Sequence, residues 1–168
     1  MGLDMYLVKK KKYAKKKWEN MEEIAYWRKA NHIHNYFVDG VISRKHRKEK
    51  DFEYQGDYEL IGKPHLVRLL DTVNFLLENI KLEDGEIMNG MSLDKDTGKF
   101  VPNMQPGKLI TNPHICEELL PRVDGFFFGD QEYTEWYYND LVYTKEILEK
   151  ILKEHDFKNY YIYYCASW

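Results

Sequence analysis

The sequence predicts an α+β domain: a mainly antiparallel sheet of about four strands, with three main helices packed on it and one long Gly/Pro-containing loop. Three observations lead there. Period-two runs stand at both ends of the chain. Two long stripes of apolar residues recur at helical spacing in its middle and last third. Between them lies a segment punctuated by Gly and Pro. A length of 168 residues suits one domain, 1–168, with a core of its own.

Leu3, Met5 and Leu7 alternate with Asp4, Tyr6 and Val8, which predicts a strand over 3–9. The lysine run Lys9–Lys17 then forms a wet loop or the end of a hairpin. Tyr26, Ala30, Ile33 and Phe37 fall at helical spacing and predict a helix from Met21 to Asp39, ending near Gly40. A second basic run, Arg44–Lys50, belongs to a loop or poorly formed turn over Arg44–Gln55. Asp57–Gly62 suits a short strand. Pro64 opens a helix, since a first-turn residue needs no N–H donor, and Leu66, Leu69, Leu70, Val73, Leu76, Leu77 and Ile80 give it a clear apolar stripe through Asn79.

Glu83–Pro113 carries four Gly and three Pro and predicts a long loop holding at most a small hairpin, with Gly98 at its tip. His114–Leu120 is a short helix closed by Pro121. Arg122–Phe128 is expected as a strand, Asp130 as the cap of a helix beginning near Glu132, and Tyr160–Trp168 as a C-terminal strand beside the N-terminal one.

Hydrophobic residues at 43% and charged residues at 32% describe a globular chain. No apolar run approaches a membrane span, and the start MGLDMYLVKKKK has too short an apolar segment for a secretory signal. Cys116 and Cys165 lie in no CxxC pattern and suggest buried thiols in a reducing compartment, so a cytoplasmic location is expected. Formal net charge is −3, which argues against a nucleic-acid partner despite the two basic runs, although that partner stays open.

Two aromatic and polar runs stand out, Tyr26–Val38 (YWRKANHIHNYFV) and Gly125–Tyr138 (GFFFGDQEYTEWYY), and are expected to face each other. On a helix, Trp27, Asn31 and His34 share a stripe, with Arg28 and His32 beside it. A ring, an amide and cationic donors suit a nucleotide or acidic ligand. The expected ligand walls are Trp27, Arg28, Asn31 and His34 on one side and Phe127, Tyr133 and Tyr137 on the other. The alternative is that Trp27 is core and that Asn31 and His34 bond a neighbouring loop. His32 and His34 cannot bind one metal from a helix, because positions i and i+2 diverge, so neither a metal nor a cofactor is expected. Phosphate-loop, GxSxG and HExxH patterns are absent. An enzyme acting on nucleotides or nucleic acid would draw on His34 with Glu132 or Glu135. A third possibility is an interaction module with no pocket.

MGLDMYL, YWRKANHIHNYFV, LLPRVDGFFFGDQEYTEWYYNDLVYTKEILEKIL and the closing Ser-Trp pair together resemble a family of small proteins encoded by bacteriophages and prophages. The resemblance covers most of the chain apart from Arg44–Lys50. It implies a phage or prophage origin and carries over no catalytic residue. Small phage accessory proteins often disarm host defences, so the expected role is non-enzymatic counteraction of host defence, by inhibiting a host defence protein or by sequestering a small nucleotide. If the target were a nucleic-acid-guided nuclease, as for an anti-CRISPR protein, the acidic second half would imitate phosphate. A homodimer is also expected, since the aromatic C-terminal strand reads as an edge in need of cover.

Overall fold

The computed structural model describes residues 2–14, 20–125 and 128–168. Their order is β1 (Asp4–Lys11), β2 (Glu22–Arg28), α1 (Asn31–Phe37), a π-helical segment (Val38–Ile42), α2 (Ser43–His46), β3 (Glu59–Ile61), α3 (Lys63–Asn79), β4 (Leu82–Leu93), β5 (Phe100–Ile110), α4 (His114–Leu119), α5 (Glu135–Glu154) and β6 (Tyr160–Ser167). Strands pair in the order β2-β1-β6-β3, antiparallel throughout, and β4 and β5 form a separate two-stranded ribbon. The α+β class and the four-stranded antiparallel sheet are thus as the sequence predicts.

Alternation divides the sheet into two faces. Met5 stands between Trp27 and Ala166, and Leu7 between Ala25 and Tyr164, all of them buried. This face joins Leu66, Leu69, Val73 and Leu76 of α3 and Tyr137, Leu141, Leu148 and Ile151 of α5 in one core. Tyr6, Tyr26 and Tyr163 occupy the opposite face and stay half-buried. β6 lies between β1 and β3, so the C-terminal strand is an inner strand and not the edge that motivated the expected dimer.

The predicted helix Met21–Asp39 is two elements. Glu22–Arg28 is strand β2, and the helix begins only at Asn31. Lys29 makes the break: it adopts φ 59°, a left-handed conformation that ends the strand, and its N–H bonds the Leu3 carbonyl at 2.7 Å. Tyr26 matched the helical spacing of Ala30, Ile33 and Phe37 by coincidence. The segment Arg44–Gln55 also begins more regularly than expected, continuing helically through His46.

Most of the expected long loop is a regular hairpin. β4 and β5 pair from Leu82↔Ile110 to Leu93↔Phe100, with a bulge between Met88 and Met91. Pro102 and Pro106 are tolerated because a ribbon strand has a free side on which no N–H is needed. Gly85 and Gly107 pair across it, where a Cβ on Gly107 would lie 2.4 Å from Ile87 Cδ1. Arg122–Gly125 forms no strand, and Phe126 and Phe127 lie outside the described residues. The last helix is capped by Thr134, whose hydroxyl accepts from the Trp136 N–H, and not by Asp130. Asp130 instead accepts from the Glu132 N–H in a local turn. No helix among the described residues is long and apolar enough to cross a membrane.

Candidate functional site

The two aromatic runs meet. The N-terminus of α1 packs against the connection that leads from α4 to α5, and Arg122 sits at their junction. Asn31, buried at the first position of α1, donates through Nδ2 to the carbonyls of Phe128 (3.3 Å) and Asp130 (3.0 Å). Arg122 Nη1 donates to the same Asp130 carbonyl at 2.6 Å and to Asn31 Oδ1 at 3.4 Å. The Arg122 guanidinium lies 5.4 Å from the Tyr137 ring centre and 5.9 Å from that of Tyr133. Tyr133 accepts from the Arg122 backbone N–H, and Tyr137 donates to the Leu120 carbonyl at 2.9 Å. Among the described residues, 120–125 and 128–130 form no strand ladder and are held by these side-chain bonds instead.

Polar groups remain unmatched around this junction. Arg122 Nε and Asp130 Oδ2 are buried without a hydrogen-bond partner, as are both ring nitrogens of His32. His32 is fully buried with its ring 4.3 Å from that of Tyr137; burial first, and the Arg122 charge second, push its pKa well below the ordinary value. Asp140 lies one turn beyond Tyr137 on α5. Burial raises its carboxyl to about 7, and the opposing pull of the Arg122 charge does not cancel this. Near neutral pH it is a mixture of acid and carboxylate, able to donate or accept a proton.

Arg122, Asp130 and Asp140 border a cavity of about 710 Å³. Arg28, Lys29 and Arg122 bring three cations to it, Asp130 and Asp140 two acids, and Phe128 and Trp136 two rings. Asn89 and Gly90, at the β4 bulge, close the hairpin side. Gly129 adopts φ 99° and passes so near Lys29 that a Cβ would lie 3.0 Å from the Lys29 backbone oxygen. Only glycine lets the two cavity walls approach this closely. Trp136 is 40% exposed, so its ring is available to a ligand.

The expected ligand residues separate into groups. Arg28 lines the cavity, at 3.9 Å from Asp4 through its Nε. Asn31, Tyr133 and Tyr137 build the Arg122 junction behind it. Trp27 does not share a helical stripe with Asn31 and His34, because it belongs to β2; it is buried, with its indole N–H donating to Thr144 at 2.9 Å. His34 is buried too. Its Nδ1 stands 2.7 Å from the Tyr164 hydroxyl, its ring abuts Phe128 and Trp168, and burial lowers its pKa to about 4. Phe127 lies outside the described residues. Glu135 accepts from the Lys108 N–H at the hairpin base, and Glu132 is exposed, so neither shares a hydrogen bond with His34. Among the described residues no group of three or more His, Cys, Asp or Glu could hold a metal ion. Cys116 and Cys165 are buried free thiols, each raised to about 11 by burial.

Sequence reasoning missed Lys29, Arg122 and Trp136 as site residues, whereas Asp140 is legible as one of three clustered acids, with Glu132 and Glu135. Two signals were present: Arg122 is a lone cation between apolar and aromatic runs, and Trp136 and Asp140 stand four apart, on one helical face. Comparison with family models, with curated proteins and with solved structures gives no match for this chain.

Proposed function

We propose that the protein is a binding protein that holds a small anionic, nucleotide-like ligand in the cavity beside Arg122, and that in the phage or prophage setting implied by its sequence it counteracts host defence by sequestering that ligand. One observation carries this reading. A cavity large enough for such a molecule gathers two exposed cations, Arg28 and Lys29, and an exposed indole around the half-buried Arg122 guanidinium, whose Nε is an unused donor. With Asp140 near half protonation at pH 7, positive charge outweighs negative charge at the cavity. Arg28 and Lys29 suit phosphate oxygens, and Trp136 offers a stacking face for a base. Asp140 and Asn89 supply donors and acceptors for the edge of that base.

Native mass spectrometry on protein purified from the producing cell tests the proposal. A retained mass of a few hundred daltons, lost on denaturation and identified as a nucleotide, supports it. Protein that emerges without such a mass, and that shows no binding heat with mono-, di- or cyclic nucleotides, contradicts it.

The β4–β5 hairpin favours a second version of the same role, inhibition of a host defence protein by surface occupation. Phe100 is 68% exposed, and Met91, Leu93 and Met104 are about half exposed on the same ribbon. Exposed apolar clusters on a strand pair with free sides are features of protein-binding surfaces. Co-purification of one stoichiometric host protein, abolished by Phe100→Ser, would favour this version.

A further inference from the structure

The π-helical segment Val38–Ile42 builds a second, separate cleft. Its signature bond runs from the Ser43 N–H to the Val38 carbonyl, five residues back. In an uninterrupted α-helix Tyr36 and Arg44, eight residues apart, would diverge by about 80°. The extra residue absorbed by the π turn reduces the offset to roughly 20°, so both side chains project on one stripe. Gly40 lies between them and adds no side chain, which leaves the stripe open.

Arg68 reaches the same place from α3. Its Nε donates to the Tyr36 hydroxyl at 3.3 Å, while that hydroxyl donates to the His65 carbonyl at 2.6 Å. Tyr36 therefore fixes Arg68 and leaves its terminal nitrogens free for another acceptor. Among the described residues neither Arg44 nor Arg68 forms a salt bridge. The two guanidinium groups line a cleft of about 370 Å³ together with Leu119 to Pro121 and the exposed carboxylates Asp39 and Glu118.

We propose that this cleft binds the phosphate monoester of a small polyhydroxylated molecule, with Arg44 and Arg68 gripping the phosphoryl oxygens and Asp39 and Glu118 accepting from the hydroxyls. Unpaired guanidinium groups form forked, charge-assisted hydrogen bonds to phosphoryl oxygens. The two carboxylates, which would repel a bare dianion, gain a purpose when the ligand carries hydroxyl donors. The site shares no lining residue with the cavity beside Arg122 and stands or falls independently of it.

Isothermal titration of the full chain with ribose 5-phosphate, inorganic phosphate and ribose tests the assignment. Ribose 5-phosphate should bind more tightly than phosphate, and ribose should give no heat. Arg44→Gln and Arg68→Gln alter exposed side chains and should keep the wild-type circular dichroism and melting, while each weakens ribose 5-phosphate roughly tenfold. Lys95→Gln at the hairpin turn should change nothing. No binding by either phosphate species overturns the site, as does binding that survives both arginine substitutions. Equal affinity for phosphate and ribose 5-phosphate overturns the role given to Asp39 and Glu118.

Discussion

Helix α3 and the Arg122 junction are both well packed, but they are built on opposite terms. α3 buries Leu66, Leu69, Val73 and Leu76 against α5 and the sheet, and of its polar atoms only Asn74 Oδ1 is buried without a partner among the described residues. The junction places a guanidinium, a carboxyl-bearing turn, an amide and an imidazole among rings, and leaves Arg122 Nε and Asp130 Oδ2 without partners. Burying polar groups without matching them costs stability; α3 leaves one such atom, Asn74 Oδ1, where the junction gathers four, Arg122 Nε, Asp130 Oδ2 and both ring nitrogens of His32. The concentration of unmatched polar groups beside a cavity is what supports the ligand proposed above.

Substitutions should separate the two regions. The largest loss of stability is expected for Leu69→Ala in α3, about 2–5 kcal/mol in urea unfolding, from a core cavity with no ligand role. Asn31→Ala strips the Phe128 and Asp130 carbonyls of a donor and should cost about 1–3 kcal/mol. It should also loosen the 128–130 loop, measurable as faster amide exchange there.

Asp140→Asn should do the reverse above neutral pH. The folded carboxyl titrates near 7, above its ordinary 3.8, so the folded state holds the proton more tightly. The stability this confers is fully present below about pH 4 and is lost as pH rises through 7. The variant should therefore match wild type near pH 4 and exceed it by on the order of 2 kcal/mol at pH 8. His34 has the opposite dependence. Its folded pKa near 4 lies below the ordinary 6.5, so its contribution is present above pH 6.5 and falls away toward pH 4. Urea titrations at several pH values distinguish the two slopes. Trp136→Ala should cost about 1–2 kcal/mol, since the ring is more than half covered, and the smallest change in stability, within about 0.5 kcal/mol, is expected for Arg28→Gln, an exposed side chain.

The same contrast explains what could be read from the sequence. Periodicity exposed α3, most of α5, β1 and β6, because each is an apolar stripe repeated on one side. It failed at Lys29, where one left-handed residue converts a strand into a helix start while Ala30, Ile33 and Phe37 keep a helical rhythm. It failed again over Glu83–Pro113, where Gly and Pro suggest a loop but serve a ribbon with free edges and a close Gly85–Gly107 crossing. For the site, composition located the two runs that meet and retained Arg28 and the Asn31–Tyr137 side of the junction. It assigned Trp27 and His34 to a ligand wall because both were placed on a single helix; their buried bonds to Thr144 and Tyr164 put them in the core. Lys29 was invisible because its importance comes from chain reversal, and Asp140 was legible only as an acid on the Trp136 face, because residue spacing does not encode its burial.

The most direct measurement is calorimetric titration of wild type, Trp136→Ala and Arg28→Gln with the nucleotide that native mass spectrometry identifies, or with a panel of mono-, di- and cyclic nucleotides. Binding at one site per chain, weakened about tenfold by either substitution while both variants keep a cooperative urea transition and the wild-type circular dichroism, is the predicted result. Absence of binding across the panel, or binding that neither substitution weakens, would contradict a ligand site beside Arg122.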